Sequence, residues 1–216
     1  MQLNLYEYNL DGLLKAYSAP AVAPAGVSGS ALTAAVGAAL IVKVARITER
    51  KLPSGADRER VASAAERVER TRNMLRDIVL QDAEAYSKLV RAKTLYAKGE
   101  ETQENVQLAI KTATLIPGAM GRAAMICINL AADIVDVAYA PATSDLAMGS
   151  LLLSSAVEAH LLAVRHNLDE ITDEAFRAKI LSKHDFFDAR AATLQRILDT
   201  VKQKNRSKSQ GLGSGL

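Results

Sequence analysis

Asp82, Asp145 and Lys51 are the residues whose types and positions could carry proton-transfer chemistry. Asp82 lies between Leu80 and the run Ala83-Glu84-Ala85-Tyr86, in the more apolar half of a long charged segment. A carboxylate entering a core needs a partner or a chemical task. Asp145 opens an apolar stretch, where the positive end of a helix dipole favours a negative charge. The same placement suits a plain capping aspartate beside Ser144. Lys51 closes a segment rich in small residues. A cation there complements the negative helix end, or is simply a solvated end charge.

Other chemistries find less support. CxxC, HExxH, GxxxxGK[ST] and GxSxG patterns are absent, so no resident metal or nucleophile elbow is expected. His160 and His166 are six residues apart and fall on different helix faces, which makes them poor co-ligands. His160, inside an apolar segment, reads as a core or interface histidine, and His184 beside Asp185 reads as a surface residue. The single Cys127, within AAMICINLAA, cannot form an intrachain disulfide and fits a reducing compartment.

Helices must position these groups, because no period-two strand pattern is present. A weakly amphipathic helix is predicted over Leu3 to Tyr17, and Pro20 and Pro24 keep the following link extended. Ser28 or Ser30 would then cap a helix reaching about Arg50. The Gly and Ala residues of this helix fit either close helix packing or an N-terminus left open to an anionic ligand. A long charged helix follows over Asp57 to Lys98. Another spans Gln103 to about Ala138, disturbed at Ile116-Pro117-Gly118. After the loop APATSD, the stretch to Leu168 is apolar on nearly all sides and reads as a central buried helix. Thr172 would cap a last helix from Asp173 to Lys202. The expected architecture is all-α: a bundle of five to six helices, several long and antiparallel, around one central buried helix. Residues 1–203 form one helical domain in this reading, and 204–216 a basic, Gly/Ser-rich disordered tail.

Composition agrees. Hydrophobic residues make up 49% of the 216 but aromatics only 4%, so Ala and Leu must supply the core. Lys202, Lys204, Arg206 and Lys208 account for more than the whole net charge of +3. The body is therefore slightly acidic, which argues against a nucleic-acid partner. Lys43, Arg46, Glu158 and His160 interrupt the longest apolar runs, and the start MQLNLYEYNLDGLL lacks a basic signal-peptide region. The expectation is a cytoplasmic protein with no membrane partner, and the broad apolar helix surfaces suggest a homodimer.

Taken in order, several stretches resemble the formimidoyltetrahydrofolate cyclodeaminase and methenyltetrahydrofolate cyclohydrolase family. They are Pro24-Ala25-Gly26-Val27-Ser28, Gly37-Ala38-Ala39-Leu40, Val44-Ala45-Arg46-Ile47-Thr48 with Lys51, and Asp82-Ala83-Glu84-Ala85-Tyr86. Ile116-Pro117, Ser144-Asp145 and Val164-Arg165-His166-Asn167-Leu168 complete the set. The likeness spans roughly Leu13 to Leu168, and it rests on collinearity rather than on any one motif. It implies a dimeric, cytoplasmic helical fold with a folate in a cleft between helices. One family reaction closes a formimino group onto N10 of tetrahydrofolate with loss of ammonia. The other adds water to the 5,10-methenyl bridge and yields formyltetrahydrofolate. Both need proton shuttling and no metal or further cofactor, the tetrahydrofolate derivative being substrate. On this resemblance Lys51, Asp82 and Asp145 take acid–base and polarising roles, and Gly26, Ser28, Arg46, Ser144 and Arg165 bind substrate.

The chain also departs from the family pattern. The family turn Pro-Gly-Gly-Gly-Ser carries Ala25 and Val27 here, and Val resists a positive φ. The Gly before the lysine is Arg50, a Gly-Asn pair is Tyr139-Ala140, and an Asn of the Asn-Val-Arg-x-Asn stretch is Ala163. Two alternatives to the folate enzyme follow. One is a relative catalysing another cyclisation, hydrolysis or amine elimination on a different small molecule, and the other is a non-catalytic ligand-binding helical module.

Overall fold

The computed structural model describes residues 5–183 and 185–212. The Leu3 end of the first helix, the surface reading of His184 and the last four residues of the tail lie outside the described residues. Seven α-helices build the described chain, with short 3-10 turns at Leu5–Glu7 and Ala140–Ala142 and no strand among the described residues. They are α1 (Leu10–Ser18), α2 (Gly26–Lys51), α3 (Ala56–Ala97), α4 (Gln103–Ile134), α5 (Thr143–Asp169), α6 (Glu174–Leu181) and α7 (Asp185–Leu212).

Helices α2 to α5 close into a four-membered ring. Each packs on its chain neighbour, α5 returns to α2, and α7 lies across α4 and α5. α4 carries the longest set of buried residues, from Val106 to Ile134. α5 packs on α2, α4 and α7, as a central helix must, yet leaves Met148, Leu151 and Leu162 at 56%, 46% and 69% exposure.

Small residues serve close packing where α2 meets α5. A Cβ placed on Gly37 would come 2.7 Å from the Gly149 carbonyl oxygen, and one on Gly149 would come 2.6 Å from that of Gly37. Real Cβ atoms do not approach so closely, so the two backbones can touch only because both side chains are absent. Gly121 on α4 does the same for the buried His160 ring, whose atoms a Cβ would meet at 2.5 Å. Phe187 of α7 covers that ring from 4.5 Å, centroid to centroid, so His160 is a core residue.

Several helix ends differ from the sequence-based expectation. α2 begins at Gly26, two residues before the expected cap. Ser28 lies in its first turn, its hydroxyl donating to the Ala25 carbonyl at 2.8 Å and accepting from the Ala25 N–H at 3.0 Å. Val27 is therefore helical, and no non-glycine residue among those described has a positive φ, so Val27 imposes no backbone strain. The expected final helix is divided into α6 and α7, and Asp173, not Thr172, caps α6 by accepting from the Phe176 N–H at 2.9 Å. The polar tail is helical through Leu212, and Lys204 Nζ donates to the Ala138 carbonyl at 2.8 Å.

α4 runs through Pro117 without a break. The proline cannot donate to the carbonyl four residues back, that of Ala113. Asn167 of α5 replaces the lost donor, its Nδ2 lying 3.2 Å from the Ala113 oxygen. By length and composition α2, α4 and the segment Ala140–Asp169 could each cross a membrane, contrary to the expectation from their charged residues. Here their apolar faces pack against one another, and α4 contributes most to the core.

Candidate functional site

A cleft of about 430 Å³ opens where the start of α2 meets α3, α4 and α5. Ala25, Gly26, Val27 and Ser30 form one wall, with Asp82 and Tyr86 from α3 beside them. Ala113 of α4 lines it beside Asn167 of α5, whose Nδ2 donates to the Ala113 carbonyl, and Ala159, Leu162, Ala163 and His166 complete the α5 side.

Asp82 is the chemical centre of this cleft. It is 6% exposed, and its Oδ2 accepts the Ser28 N–H at 2.9 Å. One first-turn N–H of α2 is thus taken by a carboxylate of the protein itself, whose negative charge disfavours an anionic ligand there. Burial pushes the Asp82 carboxyl up to about 6, with the Ser28 N–H pulling the other way. No Lys or Arg is among the described residues lining the cleft. Tyr17 of α1 lays its ring against Gly29, and its hydroxyl is buried beside Ser28. Burial raises the Tyr17 pKa, the Ser28 hydroxyl lowers it and the Asp82 charge raises it.

The other two acid–base candidates stand elsewhere in the same chain. Asp145 pairs with Lys43 at 2.7 Å, not with Lys51. Lys51 is exposed, its Nζ 5.7 Å above the Tyr139 ring. Arg46 pairs with Glu69 at 3.2 Å. Along the α2 axis, Ser28 and Lys43 are about 22 Å apart and Ser28 and Lys51 about 35 Å. The expectation that Lys51, Asp82 and Asp145 share one pocket is therefore not met within one protomer, because α2 holds them at opposite ends. Of the expected binding residues, Gly26 lines the cleft, while Ser28 sits behind it and orients Asp82. Arg46 and Ser144 belong to the distal end of α2 and α5, and Arg165 is exposed and outside the cleft lining.

Sequence reasoning missed Tyr86, His166 and Asn167. The stretch Val164 to Leu168 had pointed to this turn of α5, but one residue of helix advance rotates the side chain by about 100°. That rotation puts His166 and Asn167, rather than Arg165, along the cleft. No group of His, Cys, Asp and Glu able to hold a metal occurs among the described residues.

The chain matches the formiminotransferase-cyclodeaminase family model over residues 9–185. It is 30% identical over 203 residues to a methenyltetrahydrofolate cyclohydrolase of Methylorubrum extorquens, covering 90% of this chain and 94% of that protein. The fold is similar to the crystal structure of formiminotetrahydrofolate cyclodeaminase from Thermotoga maritima. That match has a TM-score of 0.84 at 22% identity and covers 93% of this chain and 98% of the other.

Proposed function

Because the chain belongs to the formiminotransferase-cyclodeaminase family, we propose that it acts on the one-carbon bridge of tetrahydrofolate in the cleft beside Asp82. The observation that carries this reading is Asp82 itself, a buried carboxyl raised to about 6 at the wall of an open cleft. A group with that affinity for protons both takes and returns them near neutral pH. In hydrolysis of the 5,10-methenyl bridge, Asp82 takes a proton from the water that adds to the bridge carbon. It returns that proton to the nitrogen that leaves, while the remaining O–H proton of the tetrahedral intermediate passes to solvent as the formyl C=O forms. The cation and water thus give the neutral formyl product and one proton. In the cyclodeaminase direction the same exchange accompanies attack of N10 on the formimino carbon and departure of ammonia. The similarity to the Methylorubrum cyclohydrolase favours hydrolysis.

Lys51 and Asp145 enter this chemistry only from a second copy. Val36, Met148 and Leu151 form an exposed apolar strip on the α2–α5 face, between the Asp82 end and the Lys51–Asp145 end of α2. A two-fold axis through this strip would lay the distal end of one α2 beside the cleft of its mate. The homodimer, the metal-free Asp/Lys chemistry and a cytoplasmic setting belong to this same reading. A different small-molecule substrate is favoured by one observation: Val27 and Ala163 line the cleft where the family pattern has Gly and Asn.

The test follows the near-ultraviolet absorbance of 5,10-methenyltetrahydrofolate. Accelerated loss with the native chain, abolished by Asp82→Asn, is the expected result. Absence of acceleration overturns the folate reading, and full activity in the Asp82→Asn variant overturns the role of Asp82 in it.

A further inference from the structure

Asn167 is oriented by the backbone it meets. The Ala113 carbonyl freed by Pro117 can only accept, so the Asn167 amide must turn its Nδ2 toward it. Its Oδ1 is thereby left as an acceptor on a residue that lines the cleft. Asp82, the acid of the same cleft, also accepts, and Oδ2 already holds one donor, the Ser28 N–H. The cleft therefore combines a carboxylate and an amide oxygen with a largely apolar wall, and no Lys or Arg lines it among the described residues. A buried carboxylate lacking a cationic partner is costly, and a bound cation relieves that cost.

We infer that the cleft is a charge-selective receptor for a planar amidinium-type cation, with Asp82 as counter-ion and the Asn167 Oδ1 as a second acceptor. The inference rests on the folate reading for its natural ligand, because the N–CH=N⁺ bridge of the methenyl compound and a protonated formimino group are both such cations. Their formyl counterpart is a neutral amide. Conversion would then remove the charge that holds the ligand against Asp82, and the product would leave a site that no longer matches it. Selection between substrate and product is achieved by charge, since the two differ little in size.

The groups facing Asp82 limit the conditions of the test. Tyr17 of α1, Tyr86 of α3 and His166 of α5 are the titratable side chains near it, and α4 brings the uncharged Ala113. At pH 8 a carboxyl with pKa about 6 is ionised, so Asp82 supplies the charge. Benzamidinium and benzamide, which share shape and differ in charge, are titrated calorimetrically against the full chain at that pH. Benzamidinium is expected to bind at least about ten-fold more tightly, and Asp82→Asn to bring the two within about two-fold. The surface variant Glu66→Gln should keep the native ratio. Equal binding of both probes, binding of neither, or a ratio that survives Asp82→Asn overturns the inference. Charge preference without methenyltetrahydrofolate turnover would leave the receptor standing and remove the folate reading. Turnover without charge preference would do the reverse.

Discussion

Gly37 of α2 and Gly149 of α5 face one another so closely that a methyl group on either would strike the other's carbonyl oxygen. This crossing fixes the spacing of two of the helices that line the cleft. It also explains why a buried helix should be built from such small residues. Gly149→Ala is expected to destabilise the fold by about 1–3 kcal/mol, the usual cost of overpacking. Gly26→Ala serves as the contrast, because a Cβ there would meet nothing within 4 Å. That variant should stay within about 0.5 kcal/mol of the native chain. Urea unfolding of both variants measures the difference.

Asp82 should make stability depend on pH in an unusual direction for an acid. Its carboxyl lies at about 6 in the folded chain against an ordinary 3.8. The folded state therefore holds the proton more tightly, and stability falls as pH rises from about 4 to about 6. At pH 8 the penalty is at most about 3 kcal/mol. Asp82→Asn, which can still accept the Ser28 N–H, should raise the urea midpoint at pH 8. The gain should shrink through the same window and vanish below about pH 4. An equal gain at pH 4 and pH 8 would contradict a charge-based cause.

Pro117 and Asn167 should be energetically coupled through the Ala113 carbonyl. Asn167→Ala leaves that oxygen without its donor and is expected to cost about 1–3 kcal/mol. Pro117→Ala supplies a backbone N–H four residues on, so the double variant should recover at least about 1 kcal/mol of that loss. Strict additivity of the two substitutions in a double-mutant cycle would show that the bond does not carry the effect.

The proposed shared-site dimer gives a complementation experiment. Asp82→Asn and Lys51→Ala chains should each be nearly inactive alone. After mixing and exchange of subunits, about a quarter of native activity should return, because half of the dimers are mixed and each holds one intact site. Leu151→Glu, which places a charge in the exposed α2–α5 strip, should abolish both dimerisation in sedimentation and activity. Mixed chains that remain inactive would limit the chemistry to groups from one protomer.

The amino-acid order determined the helices, because their signals are local. Apolar spacing, Gly55 and Gly99 at the breaks and proline in the link before α2 mark elements within a few residues of where they lie. Asp82 was legible as a site residue for a related reason: an acid among Ala83, Ala85 and Leu80 cannot be fully solvated on a helix that buries that face. Tertiary structure alone decided which charges meet. Lys51 and Asp145 are as conspicuous in the sequence as Asp82, but the length of α2 and the antiparallel return of α5 set them at its far end, with Lys43 as the partner of Asp145. Likewise Pro117 reads as a kink in isolation, whereas packing supplies Asn167 to the carbonyl it frees. Periodicity along one helix assigns a face, but the phase between two helices is set by side-chain volumes on both, above all by the absence of any at Gly37 and Gly149.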